Sequence, residues 1–121
     1  MLKENEKMHE LSIAVGIVDL AEKEAAKAGA DTISVIELEV GAVSGIMMDA
    51  LDFAWPVATK GTILEKAERI IHHVQGKAKC LHCGAVFEID NLYDPCPKCN
   101  GYFKDIIQGK ELRIKSLTVN D

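Results

Sequence analysis

Residues 80–99 read CLHCGAVFEIDNLYDPCPKC and hold all four cysteines of the 121-residue chain. The thiols form two C-x-x-C pairs, Cys80 with Cys83 and Cys96 with Cys99, with twelve residues between them. Two such knuckles bring four sulfurs to one point. Gly84 and Gly101, just after the knuckles, let the backbone turn so that amides face the sulfurs. Four soft thiolates suit a tetrahedral Zn²⁺ at Zn–S ~2.3 Å. Iron in the same cage would be redox-active. The loop has few apolar residues of its own (Val86, Phe87, Ile89, Leu92, Tyr93). Structural zinc contributes on the order of 10–16 kcal/mol in small peptides, enough to organise such a loop. A closed four-sulfur site has no open position, so it holds shape and does not activate water.

The chain around this loop is long enough for one ordinary domain, or for a small domain with a module attached. Apolar residues make up 48% of it, and the formal charge is −5. An acidic surface repels phosphate backbones, which argues against a nucleic-acid partner. No apolar run approaches the ~18 residues of a membrane span. The opening MLKENEKMHE lacks the apolar stretch of a secretory signal. A cytoplasmic protein is expected, and there paired cysteines favour metal over disulfides.

Leu11, Ala14, Val15, Val18, Ala21 and Ala25 recur at helical spacing, and Ile13, Ile17 and Leu20 broaden the stripe. The pattern predicts an amphipathic helix from about Met8 to Ala28, with Gly29 as its C-cap. ISVIELEV, Ile33 to Val40, reads as a strand whose Glu37 and Glu39 form the wet side. Met47 to Ala58 reads as a second helix perturbed by Pro56, with Phe53 and Trp55 in the core. Thr62 to Val74 fits either period, and a strand over Glu68 to Val74 is favoured. ELRIKSLTV closes the chain as a last strand. The fold class is α+β (α/β): a small mixed sheet with two helices, plus an inserted zinc-ribbon-like module. The expected organisation is an N-terminal extension (1–7), a main α/β domain (8–77), a zinc module (78–104) and a returning strand of the main domain (105–121).

Met8-His9-Glu10 precedes the first apolar helix residue. A helix start leaves backbone N–H groups without intrahelical partners. A d⁸ or d⁹ ion such as Ni²⁺ or Cu²⁺ takes deprotonated amide nitrogens beside an imidazole in a square plane. A solvated His9 and a Glu10 that complements the helix dipole are the plain alternative. Asn5 could instead cap a longer helix, which would spend the His9 amide on a carbonyl.

MHELSIAVGIV (8–18), ELEVGAVSGI (37–46), LDFAWPVATKGTILEKA (51–67) and the two C-x-x-C pairs, in this order and spacing, resemble the HypA family of hydrogenase nickel-incorporation proteins. The resemblance spans nearly the whole chain. It implies a nickel metallochaperone, not an enzyme, that docks on a HypB-type GTPase. The acceptor would be the NiFe-hydrogenase large subunit or, in some bacteria, urease with its accessory proteins. It implies Ni²⁺ as transient cargo at His9 (imidazole), Glu10 (backbone amide or nearby carboxylate) and Met8 (backbone). Structural Zn²⁺ would sit at Cys80, Cys83, Cys96 and Cys99. The methionine of this motif is usually residue one in the family, so its free amine can ligate. Here MLKENEK precedes it: either the working chain starts at Met8, or the extension is real and Met8 carries an amide instead. Some members also have an acidic residue near the start of the second helix. The equivalent here is Met47, with Asp49 two further on, and neither is assigned as a ligand.

His72 and His73 are adjacent on a strand and point to opposite faces, so they do not share a metal. His82 lies inside the first knuckle as a loop residue, with exchange for a thiolate as the alternative. No serine-histidine-aspartate set, phosphate-cradling loop or metalloprotease motif appears. Two other functions compete. A zinc-ribbon interaction module without metal transfer would bind no nickel. A rubredoxin-like electron carrier would be red and contain iron.

Overall fold

The structure is a computed structural model that describes the backbone of residues 4–120 and the side chains of residues 9–119. Its elements are α1 (Glu4–Lys27), β1 (Thr32–Gly41), α2 (Met48–Thr59), β2 (Glu68–Val74), β3 (Gly76–Cys80), β4 (Val86–Ile89), β5 (Lys104–Gln108) and β6 (Leu112–Asn120). The strands form two three-stranded sheets, ordered β2–β1–β6 and β4–β3–β5. The α+β class and the strand at Glu68–Val74 are as expected. The chain divides into two compact units. One comprises the residues up to 38, 46–70 and those from 114, and the other comprises 39–45 and 71–113. Among the described residues no helix is long and apolar enough to cross a membrane.

In the first unit α1 begins at Glu4, four residues before the expected start. It ends as Gly29 predicts: φ is +68°, and the N–H of Ala30 donates to the Ala25 carbonyl at 2.9 Å. Ala14, Ile17, Val18, Ala21 and Ala25 are buried at spacings of three and four. Val15 and Leu20, expected in the stripe, are 43% and 48% exposed. They fall at the margins of the buried arc, which centres on Ala14, Val18 and Ala21. On α2 the buried face is Ala50, Leu51, Ala54 and Thr59. Phe53 lies on the other side and is 71% exposed, which corrects its placement in the core. Trp55 is half-buried, with the Arg69 guanidinium 5.3 Å from its ring centroid. Ile36 and Leu38 of β1 are fully buried. Glu37 is not simply wetted, for it accepts a hydrogen bond from the Ser116 hydroxyl at 2.7 Å.

In the second unit β3 is antiparallel to both neighbours. It pairs Gly76 with Ile89 on one side and Cys80 with Lys104 on the other. Its core is small: Val43, Ala78 and Ile89, with Phe87 and Ile106 against them. β5 belongs to this sheet, so the returning strand expected from residue 105 begins at Leu112. Glu39 pairs with Arg113. Two backbones nearly touch beside this core. A Cβ built on Gly41 would lie 2.0 Å from the Gly109 carbonyl oxygen. The N–H of Val43 donates to that same oxygen at 2.9 Å.

Gly41→Ala is therefore expected to lower stability by about 1–3 kcal/mol through overpacking against main chain that cannot yield. Gly16→Ala, on an exposed turn of α1 with nothing within 4 Å of the new Cβ, should be neutral or stabilising by up to about 1 kcal/mol. Thermal melts of the two variants check both.

Candidate functional site

Each knuckle is closed by the same two backbone hydrogen bonds and two amide–sulfur contacts. In the first, Gly84 N–H donates to the Cys80 carbonyl at 2.9 Å, and Cys80 N–H to the Ala85 carbonyl at 2.8 Å. In the second, Asn100 N–H donates to the Cys96 carbonyl at 2.8 Å, and Cys96 N–H to the Gly101 carbonyl at 2.8 Å. The amides of His82 and Cys83 reach the Cys80 sulfur at 3.4 and 3.5 Å. Those of Lys98 and Cys99 do the same for Cys96. The knuckles are copies, with Cys80, Gly84 and Ala85 matched by Cys96, Asn100 and Gly101.

That correspondence corrects one expectation. The left-handed residue after the second knuckle is Asn100, φ +62°, in the place of Gly84, φ +78°. Gly101 serves differently: a Cβ there would come 3.3 Å from the Cys99 sulfur. Asparagine after a C-x-x-C pair is readable as an αL residue, but the glycine beside it draws attention away.

The four Sγ atoms lie within 4.8 Å of one another, with Cys80 to Cys99 and Cys83 to Cys96 both at 3.6 Å. A tetrahedron with metal–sulfur bonds of ~2.3 Å has edges of about 3.8 Å, so the cage fits a soft divalent ion. Among the described residues this is the one such cluster of metal-ligating side chains. The Cys83 N–H, with smaller help from that of His82, draws the Cys80 thiol down to about 6. Cys99 is the reverse. The Gly101 N–H lowers it, but the neighbouring thiols, led by Cys80, and burial together push it up. The two sulfurs lie 3.6 Å apart, and a cation bound between the thiols would displace their protons. His82 contributes its backbone N–H, and its side chain is exposed.

The second group of predicted ligands lies on α1. Met8, His9 and Glu10 follow four helical residues, so helical geometry gives their amides the carbonyls of Glu4, Asn5 and Glu6 as partners. The open helix start expected there is displaced towards the terminus. The side chain of Met8 lies outside the described residues. The His9 side chain is exposed, whereas Glu10 is only 3% exposed. Glu10 Oε2 accepts the Met47 N–H at 3.1 Å. Its other oxygen, Oε1, is buried and has no hydrogen-bond partner among the described residues. His72 is half-buried and His73 exposed on β2, and neither belongs to the cage.

Residues 8–119 match the family described as hydrogenase/urease nickel incorporation, metallochaperone, hypA. The hydrogenase maturation factor HypA of Parabacteroides distasonis is 45% identical over 112 residues, 93% of this chain and 97% of that protein. The factor of the same name from Geotalea daltonii is 41% identical, with 93% and 99% covered. The solution structure of the Ni metallochaperone HypA from Helicobacter pylori superposes with a TM-score of 0.66 at 25% identity, covering 91% of this chain and 96% of that one.

The αL position of Asn100 gives a direct test of the cage. Asn100→Gly should retain metal as the parent does. Asn100→Ile should weaken retention by about tenfold, since a β-branched residue there costs roughly 1–2 kcal/mol. Competition with a chromophoric chelator measures both.

Proposed function

We propose a function on one premise: this chain belongs to the HypA family of hydrogenase/urease nickel-incorporation metallochaperones. It is a maturation factor that carries Ni²⁺, and not an enzyme. The observation that carries this is the family match over residues 8–119, which opens on Met8-His9-Glu10. There an exposed imidazole stands next to a buried carboxylate.

The nickel site is His9 through its imidazole, with the amides of His9 and Glu10 and the backbone of Met8. Ni²⁺ favours such a planar nitrogen set. The length of α1 bears on affinity. Amides already bonded to helical carbonyls become ligands only when the first turns open, so part of the binding free energy goes into unwinding. Moderate affinity suits an ion that must be handed on. The sulfur cage takes Zn²⁺, whose filled d shell accepts tetrahedral thiolates without redox chemistry. That ion is structural. The delivery route runs through a HypB-type GTPase to the hydrogenase large subunit in the cytoplasm, with urease as the other acceptor.

The test is a nickel titration followed by intact mass and metal analysis. The parent should take up one Ni²⁺ per chain. His9→Ala should lose it and keep the metal of the cage. A version beginning at Met8 should bind more tightly, because a free amine replaces an amide. Affinity should rise with pH in every form, because amide ligands must shed protons. Stoichiometric nickel on His9→Ala overturns the site.

A further inference from the structure

α2 begins without a cap of its own. Met47, the residue before it, is extended (φ −91°, ψ 104°) and makes no side-chain capping hydrogen bond. Its carbonyl opens the helix by accepting the Leu51 N–H at 3.0 Å. Its N–H is met from another helix: Glu10 Oε2, 37 residues earlier in the chain, accepts it at 3.1 Å. The carboxylate is 3% exposed, and Oε1 has no partner among the described residues. A carboxylate at a helix start is favoured by the unpaired amides and by the dipole. Burial makes it costly to move, since the Met47 N–H would lose its acceptor.

This bears on nickel uptake because Glu10 directly follows His9. Releasing the amides of Met8, His9 and Glu10 from the carbonyls of Glu4, Asn5 and Glu6 requires α1 to open from Glu4 onward. Opening beyond residue 10 would also pull the cap off α2. We infer that Glu10 is a positioning residue for nickel: its carboxylate stays on the Met47 N–H, stops the unwinding at residue 10, and holds the backbone beside His9 against the start of α2. The carboxylate does not ligate the ion. This inference rests on the nickel-carrier function proposed above.

Two substitutions separate reach from charge. Glu10→Gln keeps the length and an acceptor oxygen for Met47. Glu10→Asp keeps the charge but is a methylene too short. Nickel titrations with visible absorption are run on the parent, both variants and Glu10→Ala. Glu10→Gln should bind one Ni²⁺ within about threefold of the parent. Glu10→Asp and Glu10→Ala should bind about tenfold more weakly, a loss of the size of a helix cap. The ligand-field band should not move in any of them. In metal-free protein the Met47 amide should exchange faster in Glu10→Asp and Glu10→Ala, and unchanged in Glu10→Gln. If Glu10→Ala does not fold, the Gln and Asp pair decides.

Nickel binding that survives in Glu10→Asp but weakens in Glu10→Gln with a shifted band makes the carboxylate a ligand and overturns the inference. So does a Glu10→Ala protein that binds as tightly as a nickel-binding parent. A parent that takes up no nickel overturns the carrier function and this inference together.

Discussion

One part-buried hydrogen bond, from the Met47 amide to the Glu10 carboxylate, ties α1 to the start of α2. Their buried faces are largely alanine: Ala14, Ala21 and Ala25 on α1, Ala50 and Ala54 on α2. Small side chains let helices come close but give little shape to lock them, since one alanine resembles the next. A directional polar tie supplies the register that the methyl groups lack. Its cost, a carboxylate out of water with one oxygen unpartnered among the described residues, is met by the open amides and the dipole at the start of α2. The same residue directly follows His9 on α1, so the tie between the helices lies next to the histidine of the Met-His-Glu motif.

The second unit solves a related shortage differently. Three buried apolar residues and two half-buried neighbours are its core, far too little for a sheet of short strands to stand alone. Two knuckles with matching hydrogen bonds place four sulfurs around a point. Metal–sulfur bonds then replace the missing apolar contacts. Close main-chain packing at Gly41 and Gly109 adds order that needs no side chains.

Much of this was legible in the chain. Cysteine spacing carried the cage, and helical periodicity carried α1 and α2. The β-branched run over Glu68–Val74 carried its strand, because both are local properties of consecutive residues. What was missed depends on distant partners. Phe53 looks like core by type, but its angular position on α2 puts it outside. The burial of Glu10 follows from Met47, far along the chain, and no spacing rule reports that pairing. The start of α1 was set too late because Glu4, Asn5, Glu6 and Lys7 are polar all round, and a hydrophobic stripe cannot mark a turn that carries none. Asn100 adopts the left-handed turn after the second knuckle although a glycine, the residue type that usually marks such a turn, stands beside it.

The two halves of the cage differ in their access to water. Cys80 and Cys96 are buried, whereas Cys83 and Cys99 are exposed. An ion held by the four sulfurs would therefore meet solvent only on the side of Cys83 and Cys99. Small soft reagents such as mercurials or cadmium would reach those two sulfurs before the buried pair. A protein docked over Cys83 and Cys99 would close that side and slow both entry and escape of the ion, leaving the affinity of the tetrahedron itself unchanged.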